Sequence, residues 1–237
     1  MKKFLRKFIS KFSKYTFIYE NSFDLVKIIN FYNIDLVLDV GASWGGYAKS
    51  LRRFGYKNKI ISFEPVTVSY NKLLKNSSDD TLWQIHSKVI ISDKAENKMI
   101  INVSKDFDNS SVLYSTDLHT ENHKDAKFTH QEQVKSEKID NLFNNYCANE
   151  NNLMLKIDVQ GSEMNVLNGA EKNLKKFKLV QIEVSIQPMY EGQILWSDIL
   201  KFMMDKNFDI WTIYPGYKKK SIGQLYQFDV IFYNKGL

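Results

Sequence analysis

An apolar run, Leu36-Val-Leu-Asp39-Val40, breaks into Gly41-Ala42-Ser43-Trp44-Gly45-Gly46 and passes directly into a helical pattern. Glycines let a backbone turn sharply and approach a bound molecule, and a helix beginning at such a turn presents unbonded N–H groups to it. Strand, glycine turn and helix in that order belong to a sheet covered by helices on both faces. The rest of the chain keeps the rhythm. Leu36–Val40, Lys59–Phe63, Leu82–Ile91, Leu153–Val159, Leu179–Val184 and Phe208–Tyr214 read as strands, and Tyr47–Phe54, Val66–Leu74, Met164–Leu174 and Ile194–Met204 as helices. Lys98–Val103 and Gln131–Lys138 are strand-like with no helix between them, which predicts a small antiparallel insertion before the fourth core strand. Trp211–Tyr214, the Pro215-Gly216 turn and Gln227–Tyr233 predict a closing antiparallel pair. The expected fold is α/β: a mostly parallel sheet with a small β insertion, forming one domain over 36–237 behind an N-terminal helical extension, 1–35.

The 237 residues carry 33 bases and 27 acids. Lys2, Lys3, Arg6, Lys7, Lys11 and Lys14 lie together without an acid and account for the whole excess, so the body is neutral. A neutral body lacks the spread of Lys and Arg that phosphates require, and no nucleic-acid partner is expected. Phe4, Leu5, Phe8, Ile9 and Phe12 share a helical stripe that excludes all six bases, making 2–18 a basic amphipathic helix. Such a helix packs on its own domain, mediates self-association, or makes peripheral contact with an anionic membrane at its inner face. Phe23–Phe31 reads as a second short helix with Ser22 as its N-cap. The single cysteine, Cys147, permits neither an intrachain disulfide nor a cysteine-based metal site. No apolar run reaches 18 residues and no signal-peptide pattern is present, so the expected location is cytoplasmic.

The glycine loop does not have the dinucleotide spacing Gly-x-Gly-x-x-Gly, because Ser43 stands where the second glycine belongs. Asp39 at the strand end would repel a pyrophosphate and attract a cation, which favours S-adenosylmethionine, with its ammonium and sulfonium, over NAD. The second strand ends Phe63-Glu64-Pro65, where one carboxylate can accept hydrogen bonds from both hydroxyls of a ribose. The third ends Val89-Ile-Ile-Ser92-Asp93, where Asp93 is either an acceptor for an adenine amino group or a surface turn acid.

These segments, together with Leu155-Lys156-Ile-Asp158-Val-Gln160-Gly161-Ser-Glu163-Met-Asn-Val-Leu167-Asn-Gly169-Ala170, resemble the FkbM family of class I S-adenosylmethionine-dependent methyltransferases. The resemblance runs from about Leu36 to Asn234 and is most specific in Lys-Ile-Asp-Val-Gln-Gly-x-Glu. It implies a Rossmann-like sheet of seven strands, one of them antiparallel, and methyl transfer to a hydroxyl of a sugar or a polyketide. Ser43 departs from the Asn often found at that place in the family. Residues and resemblance together mark Asp39, Gly41, Ala42, Ser43, Gly45, Glu64, Pro65, Ser92 and Asp93 as the expected cofactor contacts.

Chemistry narrows the reaction centre further. A neutral hydroxyl is a poor nucleophile unless a base takes its proton or a cation lowers its pKa. Asp158 closes a central strand, Glu163 opens the next helix and Glu183 ends the fifth strand, which makes these three the candidate catalytic residues. They would act as base or as oxygen ligands of Mg²⁺ or a similar divalent metal. Glu163 equally fits the plain role of complementing a helix N-terminus. His119, His123 and His130 fall in the polar stretch Asp117–Gln133, read as a solvated loop over the insertion, and His86 reads as a packed residue. Asn109-Ser110-Ser111 is of the kind that holds sugar hydroxyls. The expected activity is O-methylation of a small-molecule or glycan acceptor, a sugar or glycan precursor of cell-surface polysaccharide. Two rivals are an inert scaffold that keeps the methyltransferase fold, and an NAD-dependent sugar oxidoreductase, which the glycine spacing and Asp39 disfavour.

Overall fold

The structure, a computed structural model, describes residues 24–219 and 221–237; the stripe over 2–18 and the Ser22 cap lie outside the described residues. Residues 24–31 are helical (α1). There follow β1 (Leu36–Val40), α2 (Gly46–Arg53), β2 (Lys59–Phe63), α3 (Thr67–Ser77), β3 (Trp83–Ile85), β4 (Ile90–Ile91), β5 (Met99–Ser104), α4 (Asp117–Asn122), β6 (Phe128–Val134), β7 (Ser136–Glu137) and α5 (Ile139–Cys147). The chain closes with β8 (Leu153–Ile157), α6 (Glu163–Gly169), β9 (Phe177–Ser185), α7 (Trp196–Asp205), β10 (Phe208–Pro215), the short pair β11 (Lys218–Lys219) and β12 (Gln224–Leu225), and β13 (Gln227–Asn234).

Seven strands form one sheet in the order β10-β13-β9-β8-β1-β2-β3. Only β13 runs against its neighbours, pairing antiparallel with both β9 and β10. Apolar side chains alternate between the two faces of β1: Leu36, Leu38 and Val40 join the core beneath α5, α6 and α7, while Val37 joins the one beneath α1, α2 and α3. A strand buried on both faces must be apolar at nearly every position, which is why β1, β8 and β9 read as continuous apolar runs. Each fully buried Leu or Ile contributes about 1.5–3 kcal/mol, enough to pin the register of every central strand. Helix α1 puts Leu25, Val26, Ile28 and Ile29 into the second core, so these residues share the core of the domain they precede.

β5 and β6 pair antiparallel and make the insertion, with Val66, Ile90, Ile101, Val103 and Val134 as its small core. Two expectations need correction. The run Leu82–Ile91 is two strands in different sheets, β3 beside β2 and β4 beside β7. The chain leaves the large sheet at His86-Ser87, where the imidazole Nδ1 lies 2.7 Å from Ser87 O and local bonding replaces the ladder. Helix α5 escaped the sequence reading although Ile139, Leu142, Phe143 and Cys147 are a buried helical stripe, because the preceding β-rich segment hid its start.

The order of the sheet reverses at β1. Connections from β1 go outward to β2, and β8 lies on its other side, so the carboxyl ends of β1 and β8 flank the crevice in which an open α/β sheet binds ligands.

Candidate active site

The loop after β1 turns through three residues in the left-handed region: Gly41 (φ 77), Ser43 (φ 47) and Gly45 (φ 91). Gly41 is obligatory for a second reason, since a Cβ there would lie 1.8 Å from the carbonyl oxygen of Asp158. The β1 and β8 loops therefore touch backbone to backbone. Gly45 caps α2 behind the loop, its amide donating to Ala42 O, and a side chain there would run into Trp83. No side chain caps α2, so its first-turn N–H groups remain the natural seat for an anionic group.

Glu64 ties the second strand to this loop. Its Oε2 accepts from the Ser43 amide and its Oε1 from the Val66 amide, both at 2.8 Å. Burial nevertheless pushes its pKa up to about 7, because two hydrogen bonds and the Lys156 charge do not replace lost hydration. Each oxygen keeps a second lone pair for a ligand hydroxyl.

Asp39 takes a different place from the one expected. It is fully buried and does not line the cavity. Its Oδ2 accepts from the Ser62 hydroxyl at 3.1 Å, and Lys156 Nζ stands 3.2 Å from Oδ1, an ion pair out of hydrogen-bond alignment. Lys156 Nζ donates to Gly41 O at 2.9 Å and lies 3.6 Å from Asp158 Oδ2. Burial acts to lower the lysine's pKa, but the charges of Asp39 and Asp158 carry it above the ordinary range. Asp39 thus fixes Lys156, and Lys156 fixes the glycine loop. A lysine inside an apolar strand was the signal the sequence offered for this pairing.

One cavity of ≈ 380 Å³ spans the carboxyl ends of β1, β2, β8 and β9 and runs beneath the insertion. Gly41, Ala42, Ser43, Glu64 and Pro65 line one part of it, and Asp158, Gln160 and Glu183 another. Ser92, expected among the cofactor contacts, and Asp93, read as either an adenine acceptor or a turn acid, are not in its wall: Ser92 O packs against Gly169 at the end of α6, where a Cβ would come within 2.1 Å. Glu163 is also outside the wall. Its Oε1 accepts from the amides of Gly161 (2.9 Å) and Val159 (3.3 Å), so it holds the turn at Gln160 and Gly161, both left-handed, and burial raises its pKa to about 7.

That turn presents Gln160, which belongs to the segment carrying the family resemblance but is not among the expected site residues. Its Nε2 donates to Asp158 Oδ1 at 2.7 Å and Glu183 Oε2 at 3.0 Å, and its Oε1 accepts from the Tyr190 hydroxyl at 2.9 Å. Gln227 donates to the same Glu183 oxygen at 3.0 Å. Burial, then the charge of Asp158, pushes Glu183 well above the ordinary carboxylate range. Among the described residues no group of three or more His, Cys, Asp or Glu side chains is arranged to hold a metal ion. Asp158 and Glu183 share the Gln160 amide donor while Glu163 faces backbone amides outside the cavity, so the three carboxylates expected as metal ligands do not converge on one point.

The far end of the cavity comes from the insertion and the last strands. His119 and His123 are not in a solvated loop: α4 carries His119 inward, capped by Thr116, because its ring finds Tyr190 at 4.9 Å and its Nε2 lies 3.1 Å from Asn109 Oδ1. Burial drives the His119 pKa down to about 4. Asn109 Nδ2 donates to Asp106 Oδ2 at 2.7 Å, and His123 stacks near Tyr217, so Asn109, both histidines, Tyr217 and Gln227 form a polar, aromatic wall. His130 lies exposed on β6, and His86 packs beside Phe63.

Residues 39–210 match the family described as the Methyltransferase FkbM domain. The chain is 23% identical over 189 residues to the 2-O-methyltransferase NoeI of Sinorhizobium fredii, covering 76% of this chain and 74% of that protein. Among solved structures it is similar to the magnesium protoporphyrin IX methyltransferase of Synechocystis with bound SAM (9% identity, 92% of this chain, 78% of that one, TM-score 0.49). It is also similar to Aeropyrum pernix fibrillarin with bound S-adenosyl-L-methionine (11% identity, 84% and 66%, TM-score 0.46).

Proposed function

The chain belongs to the FkbM family of methyltransferases, and on that premise we propose that it transfers the methyl group of S-adenosylmethionine to a hydroxyl of a sugar or glycan precursor. The observation that carries this reading is the shared cavity: the glycine loop and Glu64 open onto the same space as Asp158 and Glu183. Gly41, Ala42, Ser43, Glu64 and Pro65 would hold the cofactor, with the first turn of α2 toward its carboxylate and Glu64 toward its ribose.

When bound, S-adenosylmethionine supplies a methyl carbon on a positively charged sulfur. Asp158 would take the proton of the acceptor hydroxyl, whose oxygen would receive that methyl group. Glu183, whose Oε2 already accepts from Gln160 and Gln227 and whose burial favours its protonated form, would meet the acceptor through Oε1. Gln160 orients both carboxyl groups, while Val40, Phe63 and Ile91 keep the cofactor end apolar. A sugar suits the far wall, where Asn109, His119, His123 and Gln227 offer hydrogen bonds and Tyr217 offers a ring face. The 2-O-methyltransferase name of the rhizobial relative supports an oxygen acceptor. The inert-scaffold rival is disfavoured by the complete Glu64, Asp158 and Glu183 set.

The test is transfer of labelled methyl groups from S-adenosylmethionine to a panel of methyl glycosides and nucleotide sugars. Asp158→Asn should lower the rate roughly 100-fold or more while calorimetric affinity for S-adenosylhomocysteine stays close to wild type. Folded wild-type protein that binds no S-adenosylhomocysteine would overturn the reading.

A further inference from the structure

Asp93 leaves the base end of the cofactor without its expected partner, and the cavity wall beyond Glu64 is built by other residues. Val66, Ile90, Ile101 and Val112 form an apolar recess there, and the insertion adds Phe107 to it. Phe107 has φ 67, in the left-handed region that a bulky side chain adopts only when its surroundings impose it. The imposition is visible. The Phe107 amide donates to Ser104 O, its carbonyl accepts from the Ser110 hydroxyl at 2.8 Å, and Asp106 Oδ1 accepts from both the Ser104 hydroxyl and the Asn109 amide. Next in sequence, Asp108 Oδ1 accepts from the Ser43 hydroxyl at 2.6 Å, tying the insertion to the glycine loop across the cavity. Lys72 Nζ stands 5.3 Å from the centre of the Phe107 ring, and the ring itself lines the cavity.

We propose that Phe107 is a cofactor-contacting residue: the insertion closes over the nucleoside end of the cavity and lays this ring against the purine. The inference rests on the cofactor reading above. A strained backbone, a recess lined by apolar side chains beside a ribose-binding carboxylate, and a hydrogen bond holding the insertion to the glycine loop are together what a stacking cover for a flat aromatic base requires. The Ser43–Asp108 bond positions the ring without contacting the base.

The discriminating variant is Phe107→Gly, because glycine relieves the left-handed strain while deleting the ring. Full-length wild type, Phe107→Gly, Phe107→Ala and Phe107→Trp are titrated calorimetrically with S-adenosylhomocysteine and with adenosine, and melted without ligand. Phe107→Gly and Phe107→Ala should bind both ligands roughly tenfold or more weakly, Phe107→Trp should retain binding, and Phe107→Gly should melt at or above the wild-type temperature. Glycine or alanine variants that bind S-adenosylhomocysteine as wild type does overturn the proposal and leave the cofactor reading standing. A loss seen with S-adenosylhomocysteine but not with adenosine overturns it too, since the ring would then cover the homocysteine end. Wild type that binds neither ligand overturns the cofactor reading itself.

Discussion

Glu64→Gln removes a charge and an acceptor while keeping the side chain's shape. Burial raises the Glu64 pKa from 4.5 to about 7, so the folded state keeps its proton to higher pH than the unfolded chain does. The group's stabilising contribution is therefore fully present below 4.5 and is lost as pH rises through about 7. At about 1.4 kcal/mol per pH unit the loss amounts to about 3 kcal/mol. Glutamine does not titrate, so the variant gains about 3 kcal/mol on wild type across that window. Opposing this is a fixed cost, because the new NH₂ group faces either the Ser43 or the Val66 amide and leaves one buried donor unmatched, at about 1–3 kcal/mol. The variant should be the less stable protein at pH 5 by about 1–3 kcal/mol, and equal to wild type or up to about 2 kcal/mol more stable at pH 8. Urea denaturation of the ligand-free protein between pH 5 and pH 8 measures this directly. Parallel stability profiles for the two proteins would refute the reasoning, showing that Glu64 does not titrate as a buried acid. The same series with S-adenosylhomocysteine should show wild-type affinity rising through pH 7, as the carboxylate becomes available to the ribose, and a flat profile for Glu64→Gln.

Gly41→Ala places a Cβ 1.8 Å from Asp158 O at a φ of +77, and should cost about 3 kcal/mol or more in thermal denaturation; an unchanged melting temperature would mean the two loops are free to separate. Lys156→Met strands the buried Asp39 charge and should destabilise by about 3–5 kcal/mol, with Asp39→Asn in the same chain recovering most of the loss. Failure of the second substitution to rescue would show that Lys156 matters chiefly through Gly41 O. With its pKa held down to about 4 by burial, His119 contributes stability that is present above 6.5 and fades as pH falls toward 4; His119→Phe should remove that slope from the acid limb of the denaturation profile.

Local pattern carried much of this protein. Strand β1, its glycine turn and Glu64 were legible because a strand buried on both faces has to be apolar throughout and a left-handed turn has to be glycine-rich, and both demands are written residue by residue. The antiparallel closing pair and the insertion were legible for the same reason. Roles that depend on which side of a strand end a residue faces were not. Asp39, Ser92, Asp93 and Glu163 have the right chemistry at the right strand or helix ends, yet none lines the cavity: Asp39 pairs with Lys156, Glu163 accepts from backbone amides, and the Ser92 hydroxyl donates to Asp93. Gln160, Tyr190 and Gln227 meet around Glu183 from separate segments, and Asp108 reaches the glycine loop at Ser43 from an insertion 65 residues further along the chain. Charge, apolar period and turn propensity are properties of neighbours in the chain. Which carboxylate is left facing the cavity depends on the packing of β8 against β1 and of the insertion over both, and only the folded chain sets those distances.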